Sequence, residues 1–119
     1  MKLEKNELVK STRAAYGEVL QEIGEEFPDV VVMDADLSDS TMTCHFAEKY
    51  PDRFYNMGIA EQSMMGTAAG LATCGITPIC STFAVFASMR SGEQIRTSIC
   101  YPKLNVKVVT THSGLSIGT

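Results

Sequence analysis

The chain has 119 residues, 45% hydrophobic and 20% charged, with a formal net charge of −4 and a pI near 5.1. That length suits one ordinary domain burying roughly two-thirds of its unfolded surface, so no metal or disulfide is needed to complete a core. The acidic balance argues against a nucleic-acid or anionic-membrane partner, and Cys44, Cys74, Cys80 and Cys100, with no CxxC and no histidine at ligand spacing, argue against zinc and dithiol redox chemistry. The start Met1-Lys2-Leu3-Glu4-Lys5 is not a secretory leader, so a cytoplasmic location with reduced thiols is expected.

Taken in order, Ser11 reads as an N-cap. Ala15, Val19, Leu20, Ile23 and Phe27 then form one apolar helical stripe, and Pro28 ends it. Val30-Val31-Val32-Met33 is an unbroken apolar run, the mark of a parallel strand buried on both faces. Asp34 to Thr41 lies just past the carboxyl end of that strand, where open parallel sheets place ligands. It also has the composition of a turn with an N-cap at Ser38, Asp39 or Ser40 for a helix from Thr43 to Tyr50. Asp34, Asp36 and Asp39 lack the glycine and closing glutamate of a calcium loop, so metal binding by them is unsupported. His45 lies inside the helix and is assigned no role.

Pro51-Asp52 ends that helix, and Arg53 to Asn56 reads as a short strand. A glycine turn at Gly58 leads into a helix from about Ala60 to Thr73, stopped by Gly75. No charge occurs between Glu61 and Arg90, so this stretch is buried against its own core or a partner. It reaches the length of a membrane span, but Gly66, Gly70, Gly75 and Pro78 interrupt it. Gly66, Ala69 and Gly70 make a small-residue seam that lets another helix or backbone approach, from this chain or another. Ile76 to Cys80 reads as a strand, Ser81 to Phe86 leads into a helix reaching Cys100, and Val106 to Thr110 is the last strand. The chain then enters a glycine-bearing loop, Ser113 to Thr119. Alternating helices and strands predict an α/β fold, a parallel sheet with helices on both faces.

Three candidate segments converge at the sheet's carboxyl edge: Asp36-Leu37, Thr82-Phe83 and His112. Glu61 joins them if its strand is parallel. As a first-turn carboxylate it stabilises a helix dipole, but its neighbours are Met, Ala, Ile and Gly, and a buried acid needs a partner. Phe83 and Phe86 are either core residues or a surface for a heteroaromatic ring. His112 is either an ordinary loop histidine or a general acid/base or substrate donor. GxSxG, GxGxxG and GxxxxGK[ST] are all missing, which removes nucleophile-elbow, Rossmann and P-loop readings.

At Gly58-Ile59-Ala60-Glu61-Gln62 the sequence resembles the pyrimidine-binding domain of thiamine-diphosphate enzymes. It is most similar to the carboxyl-terminal subunit of split transketolases. The resemblance also runs through Asp34-Ala35-Asp36-Leu37, Ser81 to Phe86, Glu93-Gln94-Ile95-Arg96 and Thr111 to Gly118, essentially the whole chain. It implies that Glu61 hydrogen-bonds N1′ of the cofactor's aminopyrimidine, that Phe83 and Phe86 stack on that ring, and that Asp36 and Leu37 lie beside it. His112 would contact the sugar, while a two-carbon unit passes from a ketose phosphate to an aldose with the cofactor as electron sink.

The resemblance also implies a half-site. A diphosphate-binding partner subunit would hold Mg2+, within a homo- or hetero-oligomer acting on sugar phosphates. The later segments of the family, including a carboxyl-terminal domain, are missing after Thr119, so a truncated domain over 1–119 is expected. Gln62 stands where single-chain transketolases carry histidine, and Met89 where they carry a third aromatic. Deoxyxylulose-phosphate synthase, a keto-acid dehydrogenase beta subunit and a non-catalytic dimerising fragment are the rival readings.

Overall fold

The computed structural model describes residues 10–115. The first helix, α1, is Thr12–Glu26, and the Ser11 hydroxyl caps it by accepting from the Ala14 amide at 3.2 Å. Strand β1 is Val30–Asp34, succeeded by two short helices, α2 at Ser38–Thr41 and α3 at Cys44–Lys49. A 3-10 turn at Pro51–Arg53 leads into β2, Phe54–Asn56. Helix α4 is Glu61–Thr73 and β3 is Thr77–Phe83. Then come α5, Ala84–Met89, and α6, Gly92–Gln94, which widens into a π-helical stretch at Ile95–Cys100. Strand β4, Lys107–Thr111, completes the described elements.

The strands form one sheet in the order β2-β1-β3-β4, every pairing parallel. The expected parallel sheet, with helices on both faces, is therefore what forms. Alternation along the strands sorts side chains into two cores. Val30, Val32 and Ile79 pack with Leu20 and Phe46 from α1 and α3. Met33, Ala35 and Cys80 pack on the other face with Met64, Met65, Ala68 and Ala69 of α4 and with Ile99. Helix α1 lies close over α3 because it carries glycine at the crossing. A Cβ on Gly24 would stand 2.5–2.8 Å from the Tyr50 and Phe46 rings.

Three details depart from the sequence reading. The expected helix from Thr43 to Tyr50 begins earlier and is split, because Met42 turns left-handed (φ 65°) between α2 and α3. The Leu37 amide and the Thr41 and Thr43 hydroxyls converge on the Asp34 carboxylate, and no side chain of Ser38, Asp39 or Ser40 caps α2. Strand β3 runs on to Phe83, since Ser81, Thr82 and Phe83 pair with Val109, Thr110 and Thr111. The helix expected to reach Cys100 is interrupted near Arg90 and Ser91. Gly75, at φ 82°, comes just after the end of α4, as expected. The seam of Gly66 and Gly70 is exposed, with no atom among the described residues within 4 Å of a Cβ placed there. No described helix is long and apolar enough to cross a membrane.

Candidate functional site

Because all strands are parallel, their carboxyl ends share one edge, and the site is built from the segments that leave the strands there. After β1 the chain turns sharply. Asp34, fully buried, accepts from the Leu37 amide at 2.5 Å and from the hydroxyls of Thr41 and Thr43 at 2.7 and 3.1 Å. Burial pushes its carboxyl above the ordinary aspartate value, against the lowering effect of these hydrogen bonds. This knot sets the loop that presents Asp36, itself left-handed at φ 63°, and Leu37. Asp36 Oδ1 accepts from Asn56 Nδ2 at 3.0 Å, and the Met57 amide donates to the Asp34 carbonyl at 2.8 Å, so the ends of β1 and β2 are tied together.

Gly58, at φ 71°, then reverses the chain into α4. Glu61 is the first helical residue and is only 4% exposed. Its Oε1 accepts from Arg90 Nη1 at 3.2 Å. The guanidinium of Arg90 also stands 4.1 Å from the centroid of the Phe86 ring. Ala35, Asp36, Leu37, Ile59, Glu61, Phe86 and Arg90 line an open pocket of about 180 Å³.

Phe83 and Phe86 stack at 5.8 Å with planes 13° apart, and Phe83 meets His112 at 4.1 Å. His112 is left-handed (φ 56°), and its Nδ1 lies 2.7 Å from the Thr111 hydroxyl. It borders a second cavity of about 430 Å³ with Thr12, Arg13, Tyr16 and Ser113. Tyr16 shares a 2.6 Å hydrogen bond with Ser81, and burial raises its phenol well above the ordinary value.

The structure thus brings Asp36, Leu37, Glu61 and Phe86 around one pocket. Phe83 is not among the residues lining it and links it, through Phe86, to His112. Sequence reasoning missed Arg90, Arg13 and Asp34. Arg90 had one visible signal, being the first charge after the uncharged run that begins beyond Glu61. The Ser116 to Thr119 part of the glycine-bearing loop lies outside the described residues. Among the described residues, no group of three or more His, Cys, Asp or Glu is placed to hold a metal ion.

A family model described as "Transketolase, pyrimidine binding domain" matches residues 9–119. The chain belongs to that family. Its parallel sheet is that of a transketolase pyrimidine-binding domain. The chain is 53% identical to a putative transketolase C-terminal section of Methanocaldococcus jannaschii, over 92% of this chain and 34% of that relative. It is 32% identical to 1-deoxy-D-xylulose-5-phosphate synthase of Dictyoglomus thermophilum, over 96% of this chain and 18% of that enzyme. A solved structure described as a split gene transketolase, inactive beta4 tetramer, superposes with a TM-score of 0.77 at 63% identity, covering 84% of this chain and 33% of the other. The chain therefore spans about a third or less of the length of these relatives.

The family implies thiamine diphosphate, and the residues present fit its pyrimidine end. A nearly buried carboxylate faces a small pocket that also carries the flat ring of Phe86. What binds a diphosphate is a different matter: the charged groups lining the pocket are Asp36, Glu61 and Arg90, and Arg90 is engaged by Glu61. The fit is to one end of the cofactor.

Proposed function

We propose that this chain is the pyrimidine-binding half of a thiamine-diphosphate-dependent transketolase of the split type. It would transfer a two-carbon ketol unit between sugar phosphates when assembled with a diphosphate-binding partner subunit, which holds Mg2+. The observation that carries the proposal is the placement of Glu61, a buried carboxylate at a helix start, opening into a pocket beside Phe86.

When bound, thiamine diphosphate supplies an acidic ring carbon and an electron sink for the two-carbon unit. Glu61 would share a proton with a pyrimidine nitrogen at Oε1, in a setting where water competes poorly and the interaction is correspondingly strong. Phe86, backed by Phe83, would present the stacking face, with Asp36 and Leu37 bordering the ring. His112, on the far side of the aromatic pair, would reach the sugar as hydrogen-bond donor or general acid/base. Arg13, the charged residue of the 430 Å³ cavity that His112 borders, suits the phosphate of a sugar phosphate.

The higher identity to a transketolase section than to a deoxyxylulose-phosphate synthase supports the ketol-transfer reading. A ketose-phosphate donor assay against a pyruvate-decarboxylation assay separates the two. The direct test is Glu61→Gln in the assembled enzyme: turnover falls by about 100-fold or more, with an unchanged circular dichroism spectrum. Retained turnover would remove Glu61 from the mechanism.

A further inference from the structure

Arg90 covers, at Glu61 and Phe86, the same two surfaces that an aminopyrimidine would use. One flat, hydrogen-bond-donating group touches both walls of the pocket: Nη1 lies 3.2 Å from Glu61 Oε1, and the guanidinium lies 4.1 Å from the Phe86 centroid. The two partners differ in freedom. The Glu61 side chain is 5% exposed and fixed at the start of α4, whereas the Arg90 side chain is 50% exposed and has solvent to turn into. The Arg90 backbone is anchored independently, its carbonyl accepting from Gln62 Nε2 at 2.9 Å. Arg90 also comes directly after α5, at the interruption before α6, so moving its side chain disturbs no regular element.

We infer that Arg90 is an internal plug: its guanidinium occupies the pyrimidine slot of the free chain, and a heteroaromatic ring enters only as the side chain swings into solvent. This rests on the reading of Glu61 and Phe86 as pyrimidine-binding residues. The plug compensates a buried carboxylate until the cofactor arrives, since an unpaired charge there is costly. It also makes cofactor binding a competition for one carboxyl group, between a guanidinium that donates to it and a ring nitrogen that shares its proton.

The test is calorimetric titration of thiamine diphosphate with magnesium into this chain assembled with a diphosphate-binding transketolase subunit. The parent is compared with Arg90→Ala, Arg90→Lys and Glu61→Gln, with thermal melts of each. Arg90→Ala binds the cofactor about 3- to 10-fold more tightly, because a half-exposed ion pair and a cation–π contact no longer compete. Its melting temperature falls, because Glu61 loses its cation. Arg90→Lys, which keeps the charge but not the flat stack, lies between. Tighter binding with lower stability is a combination that a merely structural ion pair does not produce. If Arg90→Ala binds equally or less tightly while Glu61→Gln weakens binding, the plug is overturned and the pyrimidine site stands. If the parent assembly does not bind, or Glu61→Gln leaves binding untouched, the pyrimidine reading falls and the plug falls with it.

Discussion

The rings of Phe83 and His112 lie 4.1 Å apart, inclined at 38°, although they come from different strand ends. The contact arises from register: Phe83 pairs with Thr111, so His112 is the first residue beyond the ladder, and its left-handed backbone (φ 56°) accompanies the approach of its ring to the phenyl face. A histidine held this way is positioned for use. His112→Ala is expected to lower kcat/KM for the sugar phosphate in the assembled enzyme by about 100-fold, within the range of a general acid/base or positioned donor. Thiamine diphosphate affinity should change little. Steady-state kinetics with parallel cofactor titration check both halves, and a large loss of cofactor affinity would place His112 at the wrong group.

The Asp34 knot predicts a pH-dependent stability. Its carboxyl is raised above the ordinary 3.8 in the folded state. Between that value and the raised one, the native chain holds a proton that the unfolded chain has released. Its contribution to stability is therefore greatest at low pH and declines as pH rises through this window. Asp34→Asn should remove that slope in urea unfolding measured across a pH series. Asp34→Ala removes the acceptor shared by the Leu37 amide and the buried Thr41 and Thr43 hydroxyls, at a cost of about 1–3 kcal/mol. It should also weaken cofactor binding through Asp36 and Leu37.

Glycines on the two helical faces should respond oppositely. Gly24→Ala drives a methyl to within 2.8 Å of the Tyr50 and Phe46 rings and should destabilise by about 1–3 kcal/mol. Gly70→Ala meets no described atom and should stabilise the lone chain by about 0.5–1 kcal/mol through helix propensity. If the uncharged seam of α4 is an assembly face, that same substitution weakens association. Thermal melts and sedimentation velocity report the two effects separately.

How much was legible depends on where the information lies. Val30 to Met33 declared a buried parallel strand because four successive apolar residues suit little else beside a helix–turn. The Ser11 cap and the Gly75 stop were readable because caps are local. The break at Met42 was hidden, since it depends on Thr41, Thr43 and Leu37 all turning to a carboxylate at Asp34, a tertiary arrangement. The π-helical widening at Ile95–Cys100 carries no comparable local signature. At the site, Glu61 stood out by being a lone charge among small apolar residues. Arg90 reaches it only through the fold that brings the residue after α5 to the first turn of α4. Gly24 went unnoticed because a glycine inside a helix declares a close approach only once the neighbouring helix is in place.

The central claim is that this chain holds one end of a shared cofactor site. The most direct measurement is a calorimetric titration of thiamine diphosphate with magnesium into this chain alone, into a diphosphate-binding transketolase subunit alone, and into their mixture. The account predicts negligible binding by this chain alone and binding in the mixture beyond that of the partner. Tight binding by this chain alone, or a mixture no better than the partner, would contradict it.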